Sequence, residues 1–127
     1  MSETKPEDIQ ITIDTSYIAS SSDPAAARYV FAYSINITNN SGTDAQLLSR
    51  HWLITDANGK KQEVHGDGVI GEQPVIAASE SYQYTSGAVV ETPVGAMQGS
   101  YDMKSADGKI FSVDIPLFSL SIPRTLH

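Results

Sequence analysis

The stretch HGDGVIGEQP carries three glycines, Gly66, Gly68 and Gly71, with the G-x-G-x-x-G spacing that lets backbone amides cradle a phosphate. That chemistry needs particular neighbours. A dinucleotide fold places a strand before the glycines and a helix directly after them, so that the helix N-terminus meets the pyrophosphate. Here Gly71 is followed by Glu-Gln-Pro-Val-Ile-Ala, and Pro74 leads into strand-forming residues. A P-loop needs Gly-Lys-Ser/Thr after its spacer, yet Glu72 stands in the lysine position and Asp67 adds a second negative charge. A kinase-type glycine loop would need a lysine on the next strand and magnesium-binding motifs downstream, and neither occurs. No lysine or arginine lies within the loop itself. The glycines therefore read as a loop that bends sharply and packs on its neighbours, with Val69 and Ile70 expected to turn inward and pin it.

Metal chemistry has one candidate. His51 and His65 can neighbour one another across a hairpin, near Asp67 and Glu72. Zinc sites take three or four ligands, and imidazole donors suit zinc and cobalt. Two histidines on a strand face also serve as plain polar surface. Nucleophilic catalysis finds less support. Ser49 precedes His51 by two residues, but no G-x-S-x-G turn exists. Asp102, Asp107, Asp114, Glu80 and Glu91 occur singly, with nothing pairing them as acid and base. No catalytic residue and no cofactor is assigned.

The elements that hold these residues follow a period of two. Ile9, Ile11 and Ile13 alternate with polar residues, and Tyr29, Phe31, Tyr33, Ile35 and Ile37 share one face of RYVFAYSINITN. Further strand patterns are AQLLSRHWLIT, KQEVH, YQYTSGAVV, GSYDMK and KIFSVDIPLFSL, separated by clusters such as SSSDP, NNSG, DANG, ETPVG and ADG. About seven short strands with regular turns predict an all-β, antiparallel two-sheet sandwich with Trp52 buried between the sheets. No helix longer than about two turns is expected, the best candidate being a turn at Pro24 capped by Asp23. The hairpin around Asn58-Gly59 fixes one register. A three-residue loop with Gly59 as the bulge pairs Trp52 with Val64, Ile54 with Gln62, His51 with His65 and Leu53 with Glu63. A two-residue loop would mix core and polar residues on one face, so the longer loop is expected. Tyr82 and Tyr84 share a strand face, and Tyr101 lies near Met97 and Met103. Tyrosines not used in the core would form a partner-binding patch.

The 127 residues form a single expected domain, 1–127, with mobile ends over 1–7 and 123–127. The formal net charge is -7, from eight basic and fifteen acidic residues, and the basic residues form no stripe. Nucleic acid, which demands clustered positive charge, is thereby disfavoured, and a basic or neutral partner is favoured. No apolar run reaches the ~18 residues that cross a bilayer, so no membrane contact is expected. MSETKPEDIQ lacks the basic and apolar regions of a secretory signal, and there are no cysteines. These features predict a cytoplasmic protein.

The ordered string QLLSRHWLITDANG, EVHGDGVIGEQPVI, YQYTSG, TPVGAMQGSYDM and FSVDIPLFSL closely resembles the ApaG (CorD) family of bacterial proteins, from about residue 8 to 120. One departure is visible: the family usually has Pro-Gly where this chain has Ala78-Ser79, so the turn there could be looser or of another type. The resemblance implies a fibronectin type III-like sandwich without established enzymatic activity. It implies a link to cobalt resistance and magnesium efflux, and a gene often beside a diadenosine tetraphosphate hydrolase. Similar domains in eukaryotic F-box and polymerase-interacting proteins look like protein-interaction modules. The resemblance carries no established metal ligand set, while its suggested pyrophosphate loop falls on Gly66, Gly68 and Gly71. The expected function is thus a non-catalytic module that binds a protein partner of unknown identity, with a weak homodimer also expected. The alternative is a direct ligand binder, taking a divalent cation near His51 and His65 or a nucleotide at the glycine loop.

Overall fold

A computed structural model of the chain describes residues 4–123. Its strands are β1 (Ile9–Tyr17), β2 (Tyr29–Asn39), β3 (Ala45–Asp56), β4 (Lys61–Asp67), β5 (Val75–Ile76), β6 (Ser81–Val90), β7 (Val94–Ser105) and β8 (Ile110–Ser121). Among the described residues the only helical elements are three-residue 3-10 turns. One sheet has the order β1-β2-β6 and the other β4-β3-β7-β8, with the short β5 also paired to β3, and all pairings are antiparallel. A three-stranded sheet facing a five-stranded one, with the long strands in this order, makes a fibronectin type III-like sandwich.

Alternation explains the faces. Along β2, Phe31, Tyr33, Ile35 and Ile37 are buried. On its other face Ser34 and Thr38 hydrogen-bond Thr85 and Ser81 of β6, each at 2.7 Å. Such cross-strand hydroxyl pairs hold the wet face of a half-buried sheet. Trp52, 2 % exposed, lies at the centre of the core. Its ring meets Tyr33 edge-on at 5.4 Å, Phe118 at 5.8 Å and Tyr101 at 6.4 Å, the arrangement that aromatic quadrupoles favour. Leu47 and Trp52 are both buried although they stand five positions apart, an odd offset that a strict two-residue repeat forbids. A β-bulge between Leu47 and Ser49 supplies the extra residue that changes the parity.

The β3–β4 hairpin has the three-residue loop. Trp52 pairs with Val64, His51 with His65, Leu53 with Glu63 and Ile54 with Gln62. Gly59 takes φ 82, and Oδ1 of Asp56 accepts the amides of Asn58 and Lys60, both at 2.9 Å.

Several expectations need correction. Asp23 stands before the Pro24 turn, but its side chain makes no capping bond. The GSYDMK strand is the second half of β7, which begins at Val94, because only Glu91 to Pro93 are needed to turn the chain. Residues 1–3 and 124–127 of the expected mobile ends lie outside the described residues. Thr4, within the first of these ends, is instead buried, its hydroxyl hydrogen-bonded to those of Ser41 at 2.9 Å and Thr43 at 3.0 Å. The Ala78-Ser79 turn keeps the type II form that Pro-Gly would give. Glu80 N donates to Ala77 O at 3.0 Å, and Ser79 takes φ 68.

A serine in the left-handed region costs about 1–2 kcal/mol. Glycine relieves that strain but loses roughly 0.5–1 kcal/mol of backbone entropy on folding. The substitution Ser79→Gly is therefore expected to raise stability by about 0.5–1 kcal/mol, read as a higher urea midpoint at unchanged slope.

Candidate functional site

The strands bring two groups of side chains to the same end of β3 and β4. Alternation places Trp52 and Val64 inside, so the hairpin's outer face carries His51, Leu53, Glu63 and His65. The rings of His51 and His65 stack with centroids 4.3 Å apart. Oε2 of Glu63 lies 2.9 Å from Nε2 of His51 and 3.8 Å from Nε2 of His65. The hydrogen bond with His51 holds the Glu63 carboxyl below the usual carboxylate range. The donor atoms of the three residues all lie within 4.8 Å of one another.

Asp67 and Glu72, placed beside the histidines by the sequence reading, do not join that cluster. Glu72 accepts a hydrogen bond from the Tyr82 hydroxyl at 3.0 Å, and that acceptor raises the pKa of Tyr82 along with burial, the larger cause. Asp67 lines a cleft of about 410 Å³ with Ser49, Arg50, His51, His65, Gly66, Ser100 and Asp102. The residue missed from sequence is Glu63. Its signal was E-V-H itself, because residues two apart on a strand share a face.

A second group surrounds the glycine loop. Arg50 pairs across the hairpin with Gly66, and its Nη1 donates to the carbonyls of Gly68 at 2.8 Å and Asp67 at 3.2 Å. Among the described residues no carboxylate forms an ion pair with this guanidinium. The loop thus receives a cation from the neighbouring strand, although its own sequence has none. On β3 and β7 Arg50 stands opposite Tyr101, next to a buried cluster in which the Tyr84 and Tyr101 hydroxyls hydrogen-bond. Burial raises the pKa of the Tyr33 hydroxyl and pushes those of Tyr84 and Tyr101 well above the usual phenol range, and the charge of Arg50 opposes the shift in each.

Each glycine of the motif meets a different steric demand. A Cβ on Gly66 would lie 2.7 Å from Nη1 of Arg50, so this glycine clears the path of the guanidinium. Gly68 has φ 63, and a Cβ there would come within 2.0 Å of the Glu72 carbonyl oxygen. Gly71, at φ 75, has open space around it and supplies only the left-handed conformation. Val69 and Glu72 exchange two backbone bonds of 2.8 and 2.9 Å across Ile70 and Gly71. With both central residues at positive φ, this is a type I′ turn.

The inward placement expected for Val69 and Ile70 holds for the first residue alone. Val69 is fully buried, whereas Ile70 is 58 % exposed at φ 48, because the turn's first central position points away from the core. The loop also uses its own amides. Gly68 N donates to Leu48 O at 2.7 Å, and those of Val69 and Glu72 serve the turn, which leaves few donors for a phosphate nest.

Substitution should grade accordingly. Gly68→Ala combines a backbone clash with positive φ and is expected to cost about 3 kcal/mol or more. Gly71→Ala carries the conformational term alone, about 1–2 kcal/mol. Chemical denaturation of both variants gives the order, and equal costs would contradict it. ATP without magnesium is expected to bind no tighter than about 1 mM. Saturable shifts of the Gly66, Gly68 and Gly71 amide signals at micromolar ATP would overturn that expectation.

Comparison with known proteins agrees with this architecture. The ApaG domain family model matches residues 19–105. Protein ApaG of Thiobacillus denitrificans is 54% identical over 127 residues, the full length of both chains. Protein ApaG of Aromatoleum aromaticum is 52% identical, also over the full length of both. The crystal structure of the ApaA protein of Bordetella pertussis superposes with a TM-score of 0.90 at 44% identity, covering 93% of this chain and 96% of that one. With the family model spanning most of the sandwich and relatives aligned from end to end, this chain belongs to the ApaG family.

Proposed function

We propose that this ApaG-family protein is a non-catalytic binding module of the cytoplasm that acts by contact with a protein partner, with an indirect role in divalent-cation homeostasis. One observation carries the reading. Ile70, a β-branched residue, is held at φ 48 with 58 % of its surface exposed. Asparagine or glycine would occupy that turn position at lower energy and higher solubility. A strained backbone that presents an apolar side chain to solvent is what a contact point requires. Val75, 60 % exposed, lies at the other end of the same segment.

The segment is stapled to β3, so the contact point is rigid. Gln73 Nε2 donates to Leu48 O at 2.8 Å, Leu47 N donates to Pro74 O at 3.0 Å, and Gln46 Nε2 donates to Gln73 O at 3.1 Å. Preorganisation of this kind lowers the entropy lost on association. The net charge of -7 favours a partner surface that is basic or neutral. The absence of a catalytic role is supported by the environment of Ser49, two residues before His51: its Oγ donates to Asp102 at 3.3 Å, so a carboxylate, not an imidazole, is its partner. The cation link rests on the family resemblance.

The substitution Ile70→Asn separates contact from folding. Asparagine tolerates the left-handed conformation, so the variant is expected to be as stable as the parent or about 1 kcal/mol more so. Affinity capture with parent and variant should recover a stoichiometric protein with the parent and at least tenfold less of it with the variant. Equal recovery, or no stoichiometric partner with either, would count against the reading.

A further inference from the structure

We propose that His51, Glu63 and His65 form a binding site for one divalent first-row transition cation of the zinc type, on the outer face of the β3–β4 hairpin. The proposal stands on side-chain geometry and is independent of the protein-contact reading above.

The donor spacing carries it. A tetrahedral ion with bonds of about 2.0–2.1 Å to nitrogen and oxygen holds its ligand atoms roughly 3.3 Å apart. Glu63 Oε2 lies 2.9 Å from His51 Nε2 and 3.8 Å from His65 Nε2, values that bracket that separation. No pair among the three donors exceeds 4.8 Å. Small side-chain rotations, with no movement of the backbone, would bring all three to bonding distance. The hairpin register prepares this arrangement: His51 and His65 are directly paired, and Glu63 is two residues from His65 on the same face.

Access and ligand type decide the rest. The side chains of His51, Glu63 and His65 are 36, 60 and 70 % exposed, so an ion can enter from solvent. Three protein ligands leave a fourth position for water, the pattern of an open rather than a closed zinc site. Two imidazoles in a set of three select zinc, nickel or copper over magnesium, which requires an octahedral shell of oxygens. For His51 and His65 to ligate through Nε2, that nitrogen must carry no proton, and any proton shared there with Glu63 passes to solvent on binding.

The test titrates the untagged full chain with zinc chloride, and separately with magnesium chloride, by calorimetry and by NMR of the imidazole carbon-bound protons. One equivalent of zinc should bind saturably and shift the ring signals of both His51 and His65. Glu63→Gln should weaken zinc binding at least as much as the roughly 10–100-fold that loss of an outer-shell partner costs. Asp67→Asn, outside the cluster, should change it by less than twofold, and a large excess of magnesium should not displace the zinc. Each variant's unfolding midpoint accompanies the titration. Should His65→Ala fail to fold, Glu63→Gln still decides the matter, since it alters only one exposed carboxylate. Absence of saturable zinc binding overturns the proposal. So does unchanged affinity in Glu63→Gln, or magnesium competing at the same histidines.

Discussion

The register of the β3–β4 hairpin is the constraint on which both side-chain groups depend. A shift of one residue would move Trp52 from the core to solvent and carry His51 and Leu53 inward. The Asp56 carboxylate, accepting two amides of the turn, and Gly59 in the left-handed region together select the three-residue loop. With that loop in place, the aromatic anchor, the histidine–glutamate cluster and the approach of Arg50 to Gly66 all follow from alternation. The turn therefore determines chemistry that begins several residues away from it.

The bulge at Leu48 joins this hairpin to the glycine loop. It lets β3 bury Leu47 on one side of the irregularity and Trp52 on the other. Leu48, skipped in the register with β7, turns its carbonyl to the loop, where that oxygen accepts both Gly68 N and the Gln73 side chain. The loop is then closed from below by Val69 and from the side by the Arg50 guanidinium. Asn39 performs a similar service beyond β2, its buried amide reaching the carbonyls of Thr43 at 2.8 Å and Ile76 at 2.9 Å. Buried polar groups at both places are matched to backbone partners, which is the condition for tolerating them in a sandwich core.

What could be read from sequence was what depends on period and on turn chemistry. The hairpin pairings were legible because only one loop length keeps Trp52 and Ile54 on an apolar face. The burial of Phe31, Tyr33, Ile35 and Ile37 was legible for the same reason. Ile70 was not, because a type I′ turn normally announces itself with asparagine or glycine at that position, and isoleucine reads as core. Glu63 was not legible in the same way, because its link to the histidines runs across the strand face, whereas Asp67 and Glu72 are the acids that follow along the chain. Arg50 is a similar case: the loop has no cation of its own, and the one that serves it comes from the strand paired to it. In each case the information was local on one strand and became chemistry only through its neighbour.

The contact between Gly66 and Arg50 bears on how such chains drift in evolution. The guanidinium occupies the volume where a side chain at position 66 would begin, so a larger residue there requires the arginine head to swing aside. A side chain at 66 would displace the guanidinium from the two loop carbonyls it serves, and loss of the arginine would remove the same two bonds. Over long divergence the glycine would persist for the sake of the arginine, and Gly68 for the sake of the turn that follows. A nucleotide-binding spacing can then be inherited through purely internal selection, and its recurrence among relatives would record mutual steric dependence, with no ligand required to maintain it.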